Sequence, residues 1–524
     1  MDEVERSATK MRHFPTLALY LTLTLLLPIQ AAAQFVPDAF SQYAEAARDS
    51  FDVPGMSIAI VKDGEVVFSR GFGVRHLVDG GEVDGNTLFA IASNTKGFIA
   101  TMIAQLVDAG AVGWDDKVRD YLPGFAMYDP YVTSDIRIRD LLSHSSGLGT
   151  FSGDLLWYGT AYTAADVVER IRYVPQAKPF RGGYGYSNLM FITAGEVIKA
   201  VSGQSWDVRA QEHIFDQIGM TRTVTSTTVL PQTSNVAAPH KLENGSSTPI
   251  EWFNWDTPGA AGGIISSTRD LTQWMMLHLN HGVLGGDTLF SMDASHEMWS
   301  PQTVIPLSRT SLEFIPERHF SAYGLGFALY DYKGRKIVTH GGGYDGMFSR
   351  VTMVPEENLG IVILTNGMTS VQTALTYRLL DDYLGADGRD WVAVYLERAK
   401  NAREREIRKW ADREASRVEG TSPSKALADY TGTYGGDMYG DGRITLEDGK
   451  LVLELLPNKD LVADLTHWHY DTFKLEWRQE FAWFNDGWIQ FELDIQGDVI
   501  EMEMDVPNDD FWFYELELKR KHAP

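Results

Sequence analysis

The stretch Thr87-Leu88-Phe89-Ala90-Ile91-Ala92-Ser93-Asn94-Thr95-Lys96 changes texture at Ser93. Thr87 to Ala92 is β-like. Beyond Ser93 the apolar residues Ile99, Met102, Ile103, Leu106 and Val107 recur at three- and four-residue spacing, and Gly110 follows. That is an amphipathic helix with a glycine stop. A serine followed three residues later by a lysine presents both side chains on one helix face. The amine can then take the hydroxyl proton. Ser-x-x-Lys occurs three times, at Ser7/Lys10, Ser93/Lys96 and Ser422/Lys425. The first lies in an N-terminal apolar leader and the third in a proline-containing linker. Only Ser93 stands where a strand meets a helix, with its N–H near a helix N-terminus and able to help hold an oxyanion.

Working outward, Met56 to Val74 reads as two strands around Asp63-Gly64, a hairpin turn signal. Arg139 to His144 reads as a short helix, Leu189 to Val201 as a longer one closed by Gly203, and Ser267 to Asp270 has capping-box spacing before a helix through Trp274 and Leu277. Strands are expected at Tyr323–Tyr330, Lys336–Thr339, Phe348–Val354 and Leu359–Leu364, then a helix over Thr369–Leu384. Strands at both ends with helices between them predict one α+β layer whose sheet joins the two ends of this region. Leu396 to Arg417, rich in Arg, Glu, Lys and Ala, reads as a solvated connecting helix. From Ala426 short alternating strands predict a separate β-barrel or sandwich: Arg443–Glu447, Lys450–Leu455, Phe473–Trp477, Trp488–Leu493, Val499–Asp505 and Phe511–Leu518.

Composition narrows the function. The 524 residues carry 71 Asp and Glu against 46 Lys and Arg, a net charge of −25, and no cysteine. An acidic chain is poorly suited to bind nucleic acid as its main partner. Without cysteine there is no thiol nucleophile, thiolate zinc site or disulfide scaffold. At the start, Lys10, Arg12 and His13 precede the apolar run Leu17 to Ile29 and then Ala31-Ala32-Ala33. That pattern is a secretory signal peptide, with cleavage expected after Ala33. The run is short of the roughly 20 residues that a membrane span needs. The sequence leaves open whether translation starts at Met1 or at Met11. The expected layout is a signal peptide over 1–33, a first domain over 34–390, a charged helical linker over 391–425 and a barrel over 426–524. The mature protein is expected to be periplasmic or secreted, without stable membrane insertion, and its oligomeric state is not legible.

Two further motifs follow in order: Tyr186-Ser187-Asn188, and His340-Gly341-Gly342-Gly343 after the strand Lys336–Thr339. Ser-x-x-Lys, then Tyr-x-Asn, then a basic residue-x-Gly on a strand resembles the serine β-lactamase and penicillin-binding protein superfamily. The likeness is nearest the class C β-lactamase-like branch with its D-amino-acid peptidases, amidases and esterases, of the serine peptidase family S12 kind. Supporting stretches are Leu141 to Leu148, Ala261-Gly262-Gly263 and Tyr323-Gly324-Leu325-Gly326. The C-terminal part resembles the lipocalin-like domain attached to some of these peptidases. The resemblance implies a β-lactamase/transpeptidase-like fold, an antiparallel sheet flanked by helices plus an all-helical region. It implies Ser93 as nucleophile, Lys96 and Tyr186 as proton carriers, Asn188 as orienter of substrate and Lys96, and the N–H groups of Ser93 and Gly343 as oxyanion hole, with Gly342 also on the substrate strand. Lys96 can serve only if its pKa falls from about 10.4 towards neutrality, a change worth about 4 kcal/mol.

The family usually carries lysine where His340 stands. A histidine titrating near 6.5 would attract a substrate carboxylate only in acid. This points to an amide, peptide or ester hydrolase acting on a small molecule or peptide, rather than to a dedicated β-lactamase or DD-peptidase. No cofactor is implied. His278/His281 and His467/His469 each lack a third metal ligand. The His-Gly-Gly-Gly run also mimics α/β-hydrolases, but no Gly-x-Ser-x-Gly elbow is present. A rival of another class is a catalytically weak, penicillin-binding-like binding protein that uses Trp468, Trp477, Trp483, Trp488 and Trp512 as a binding face. Every motif precedes the linker, so the barrel is expected to influence substrate choice more than chemistry.

Overall fold

The computed structural model describes residues 35–243, 245–385 and 388–521. The expected signal peptide lies outside the described residues. The first strand, β1 (Gly55–Lys62), is buried along nearly its whole length, which requires cover on both faces. It turns at Asp63 (φ 54°) and Gly64 (φ 81°), two left-handed positions in a row, into β2 (Glu65–His76). Four longer strands and one short one come from the other end of the domain: β3 (Ser321–Tyr323), β4 (Ala328–Tyr332), β5 (Arg335–Tyr344), β6 (Met347–Val354) and β7 (Leu359–Thr365). β7 is buried throughout and pairs antiparallel with β1, from Met56 opposite Thr365 to Lys62 opposite Leu359. The nine-stranded sheet runs Thr303–Val304, β3, β4, β5, β6, β7, β1, β2, Gly80–Glu82. The two ends of the domain do meet in its middle.

One face is covered by α1 (Pro37–Ser50) and α5 (Val371–Leu384). The other carries α4 (Thr268–Leu279); α2 (Thr95–Asp108) stacks its Phe98 on Trp274 of α4, and α3 (Asn188–Ser202) packs on α2. α2 is buried all round, from Phe98 and Ile99 to Met102, Ile103 and Leu106. Each such side chain contributes roughly 1.5–3 kcal/mol of burial. A central helix packed on every side holds its first turn rigidly.

Three expectations need correction. Tyr323–Tyr330 is two strands, because Gly324 to Phe327 form a turn. Gly326 has φ 79° and its N–H donates to the Leu142 carbonyl at 3.0 Å. The strand after Lys336 continues through His340 to Tyr344. The connecting helix α6 starts earlier than the charge pattern suggested, at Trp391, and ends at Ala415. Trp391 is fully buried and donates its indole N–H to Asp381 at 2.7 Å.

The C-terminal barrel is closed by eight antiparallel strands, β8 to β15: Gly432–Gly436, Gly440–Glu447, Lys450–Leu455, Val462–His469, Thr472–Trp477, Gly487–Leu493, Val499–Asp505 and Leu518–Lys521. The first and fourth show no clean alternation in sequence and were not expected. Of the expected strand Phe511–Leu518, Phe511 to Glu517 form a loop with a short helical turn, and the eighth strand begins only at Leu518. The barrel is a closed sheet of its own that packs directly on the first domain. Its core is continuous with that of the first domain. Asn458 donates to the Tyr158 carbonyl at 2.8 Å, and Tyr162 donates to the Tyr439 carbonyl at 2.7 Å. Glu515 accepts from Ser152 Oγ at 2.5 Å and from the Gly153 N–H at 2.8 Å.

Candidate active site

Ser93 lies in a single helical turn, Ala92–Asn94, that leads into α2. The preceding Ala92 has φ 45°, a left-handed conformation that costs a non-glycine residue on the order of 1 kcal/mol or more. This kink turns the chain from Phe89–Ala90 into the helix and leaves Ser93 half-buried at the floor of a chamber. One turn on, Lys96 has no exposure to solvent. Its Nζ lies 3.0 Å from Ser93 Oγ, 2.8 Å from Asn188 Oδ1 and 2.7 Å from the Ala261 carbonyl. A neutral amine has two hydrogens and one lone pair. Asn188 and Ala261 can only accept at these atoms, so they take both hydrogens and the lone pair faces the Ser93 hydroxyl. Burial moves the Lys96 pKa from 10.5 down to about 7, against the opposing charge of Asp154.

Asn188 opens α3, and its orientation is set from behind. Its Nδ2 donates to Asp154 Oδ2 at 2.6 Å, so its Oδ1 must face Lys96. Asp154 is almost wholly buried, and burial raises its pKa to about 8. Its Oδ1 has no aligned hydrogen bond; the Trp157 indole N–H is near enough to moderate the shift but points off line. Sequence reasoning missed Asp154. The available signal was a single carboxylate set in the apolar run Leu155-Leu156-Trp157-Tyr158.

Tyr186 reaches the same space. Burial pushes its phenol well above 10, and a hydrogen bond with Ser93 offsets part of that rise. It is therefore a neutral phenol at ordinary pH, while Lys96 titrates near 7. Lys96 Nζ lies 4.9 Å from the centre of the Tyr186 ring. His144 (φ 58°) supports this loop: its Nδ1 accepts the Ser187 N–H at 3.0 Å and its ring packs 4.2 Å from that of Tyr186.

β5 forms the opposite wall, and two expectations change there. His340 lines the chamber but is buried. Its Nε2 is 2.8 Å from the Tyr323 hydroxyl and its Nδ1 is 2.5 Å from the Gly341 carbonyl. The carbonyl can only accept, so Nδ1 carries the proton and Nε2 accepts from Tyr323. Burial, with Lys96 and Arg350 nearby, lowers its pKa to about 3. It therefore does not acquire charge near pH 6.5 as the sequence reading supposed. Gly342 does not face the chamber either. A Cβ there would stand 2.1 Å from the Ile91 carbonyl oxygen and 2.4 Å from Ser349 Oγ. It is the close approach of β5 to the Ser93 turn. Gly341 and Gly343 line the chamber.

The chamber encloses about 380 Å³, and its roof comes from the barrel: Trp483, Asp510 and Phe511. Asp510 and Phe511 were not singled out, and Trp483 was named only as part of a barrel face, since nothing in sequence marks a loop 390 or more residues away as a neighbour of Ser93. Of the tryptophans suggested as a barrel binding face, Trp468 and Trp488 are buried, and Trp483 alone lines this chamber. The paired histidines are held otherwise. His278 bonds Thr101 and His281 bonds Ser295, while His467 bonds the Tyr470 carbonyl and His469 accepts from the Val418 N–H. Among the described residues no three His, Asp or Glu side chains gather as a metal site. Nor is any described helix long and apolar enough to cross a membrane.

Comparison with known proteins fits this geometry. The family profile described as Beta-lactamase matches residues 40–384, and a Domain of unknown function (DUF3471) matches 416–520. The unguisins hydrolase ungD of Aspergillus violaceofuscus (strain CBS 115571) is 30% identical over 460 residues, covering 79% of this chain and 77% of that protein. Penicillin-binding protein 4 of Amycolatopsis lactamdurans is 31% identical over 352 residues, 65% of this chain and 88% of its own. The octameric penicillin-binding protein homologue from Pyrococcus abyssi superposes with a TM-score of 0.60 at 19% identity, over 92% of this chain and 99% of that one. The D-amino acid amidase of Ochrobactrum anthropi SV3 gives a TM-score of 0.53 at 21% identity, over 69% and 99%. With the profile spanning most of the chain and the serine, lysine, tyrosine and asparagine of its motifs around one chamber, this chain belongs to the beta-lactamase family of serine hydrolases.

Proposed function

We propose that the protein is an exported hydrolase that works through an acyl-enzyme on amide, peptide or ester bonds, of the D-amino-acid peptidase, amidase or esterase kind. The observation that carries this reading is the buried Lys96 amine, hydrogen-bonded to Ser93 with a pKa near 7. Ser93 Oγ attacks the carbonyl carbon as its proton passes to Lys96. The oxyanion is held by the N–H groups of Ser93 and Gly343. The scissile bond then breaks, and the leaving amine or alcohol takes the proton back by way of Lys96 and the Tyr186 hydroxyl. Water adds to the acyl-enzyme by the same route, giving the acid and free Ser93. Lys96 rather than Tyr186 is the base, since a phenol held well above 10 is almost never ionised near neutrality.

A dedicated β-lactamase is the weaker reading. It needs a fixed cation for the lactam carboxylate, and His340 is neutral. The names of the relatives, a hydrolase and a D-amino acid amidase among them, agree with the broader reading. The charge of −25 argues against nucleic acid as substrate, and the Leu17 to Ile29 leader supports a periplasmic or secreted location.

Intact mass after exposure to a slow ester or β-lactam tests the reading. One adduct is expected on the native chain and none on Ser93→Ala. Full turnover by Ser93→Ala would overturn it.

A further inference from the structure

Two residues beyond Gly343 the chain turns from β5 into β6 at Asp345-Gly346. The turn is pinned. The His240 N–H donates to the Gly346 carbonyl at 3.1 Å, and a Cβ on Gly346 would stand 2.6 Å from that nitrogen. Asp345 is 3% exposed. Its Oδ1 accepts the Tyr158 hydroxyl at 2.7 Å and its Oδ2 accepts the Trp255 indole N–H at 2.9 Å. The Trp483 indole N–H is near enough to favour the ionised form but points off line. Burial raises the Asp345 pKa to about 6, so the group is a carboxylate at neutral pH, and among the described residues no lysine or arginine offsets its charge.

Nothing in the proposed mechanism uses this carboxylate, and it does not line the chamber. A buried charge without a cation is costly to hold. What it does is join three segments distant in the chain: the β5–β6 turn, the 154–158 turn and the segment around Trp255. Trp255 lines the chamber and meets Trp157, which also lines it, edge-on at 5.2 Å. The Tyr344 ring lies 5.0 Å from Trp255, and the Tyr344 hydroxyl donates to the Phe253 carbonyl. Tyr158 lies behind the wall, 4.2 Å from the ring of Phe511, another lining residue. The two oxygens of one carboxylate thus fix Trp255 and the Trp157-Tyr158 turn relative to each other before any ligand arrives.

We propose that Asp345 is a positioning residue for substrate choice: through Trp255 and Tyr158 it holds the aromatic wall of the chamber in one geometry, which selects a substrate with a flat aromatic group one or two bonds from the scissile carbonyl. This rests on the hydrolase reading above. A ring entering beside Trp157 and Trp255 gains from edge-on or offset contact only while those two rings keep their mutual angle. Asp345 touches neither the substrate nor the reacting atoms.

Two readouts on full-length protein test this. Turnover is followed on ethyl acetate, ethyl phenylacetate and benzyl acetate. Binding of phenylacetamide and of acetamide is followed by NMR titration of Ser93→Ala, with and without a second change at Asp345. The native chain should favour at least one phenyl ester over ethyl acetate by about tenfold or more in kcat/KM, and Ser93→Ala should bind phenylacetamide the tighter. Tyr158→Phe removes one donor without changing the ring and should cut the phenyl preference about threefold, through KM. Asp345→Ala frees both donors and should cut it about tenfold. Asp345→Asn should restore it to within about threefold of native, since the amide oxygen still accepts from Trp255 and the amide N–H can donate to the Tyr158 oxygen. A native phenyl preference in both Tyr158→Phe and Asp345→Ala, or a loss of turnover shared equally by all three esters, overturns the positioning role. If Asp345→Ala does not fold, Tyr158→Phe decides alone. Phenylacetamide binding that depends on Asp345, without any acylation of Ser93, would keep the positioning role and overturn the hydrolase reading instead.

Discussion

In the proposed mechanism Lys96 must lose a proton before it can take one from Ser93, and its pKa of about 7 sets the pH at which that happens. Below that value the amine is charged; above it the lone pair is free. The kcat/KM for a neutral ester should therefore rise through pH 7 and level off above. Asp154 could raise the Lys96 pKa only by its charge, and with its own pKa at about 8 it is mostly protonated where Lys96 titrates, so Asp154→Asn, which keeps an acceptor for Asn188, should leave the midpoint near pH 7. A midpoint displaced to lower pH would show that Asp154 carries its charge beside Lys96. Replacing Lys96 by Ala should lower kcat by about 10²–10⁴. His340 behaves differently from its sequence neighbourhood. With a pKa near 3, its ring nitrogens should show no titration by NMR between pH 5 and 8, whereas a midpoint near 6.5 would restore the charge that the sequence reading gave it. Ser93, Lys96, Tyr186 and Asn188 were legible because their spacing is local and their order is a family pattern. The neutrality of His340 was not, because its pKa depends on burial by side chains far away in sequence.

At the scale of elements, α2 and β5 meet through backbone rather than side chains. Gly342 lies against the Ile91 carbonyl, and the strained Ala92 follows at once. A methyl at 342 has no flexible neighbour to displace. Gly342→Ala should cost about 1–3 kcal/mol in denaturant unfolding and should lower activity as the Ser93 turn shifts. Native stability and turnover would show that the strand can move away freely. The helices were largely legible, because each carries a 3.6-residue apolar pattern and a cap: Gly203 ends α3 at φ 75°, and Ser267 Oγ accepts the Asp270 N–H at 3.2 Å before α4. Strands fared less well where glycine or mixed polarity broke the alternation. Gly432–Gly436 was missed for that reason, and the turn at Gly324 to Phe327 was read as continuous strand. A two-residue period is easily lost over five residues, while a helix repeats its pattern across several turns.

Across the whole molecule, the barrel is fastened beside the chamber by Glu515, which takes the Ser152 hydroxyl and the Gly153 N–H just ahead of Asp154. Glu515→Ala leaves both donors unpaired at a buried contact and should lower stability by about 1.5–3 kcal/mol. An unchanged denaturation midpoint would mean that this contact contributes nothing to docking. The same link couples barrel position to the Asp154–Asn188–Lys96 chain, so the loss should also be felt as a raised KM. Legible in the order of residues were the α+β class, the sheet that joins the two ends of the first domain, a second β unit and the Ser93/Lys96 pair, while Tyr186 and Asn188 were added by their place in a family pattern. The first group follows from periodicity, caps and short-range spacing, which act between near neighbours in the chain. The packed fold adds that the barrel roofs the site, that Asp154 orients Asn188, that Gly342 is a packing contact and that His340 stays uncharged. Those outcomes depend on desolvation and on contacts between segments hundreds of residues apart, and neither burial nor distance is written in the order of the residues.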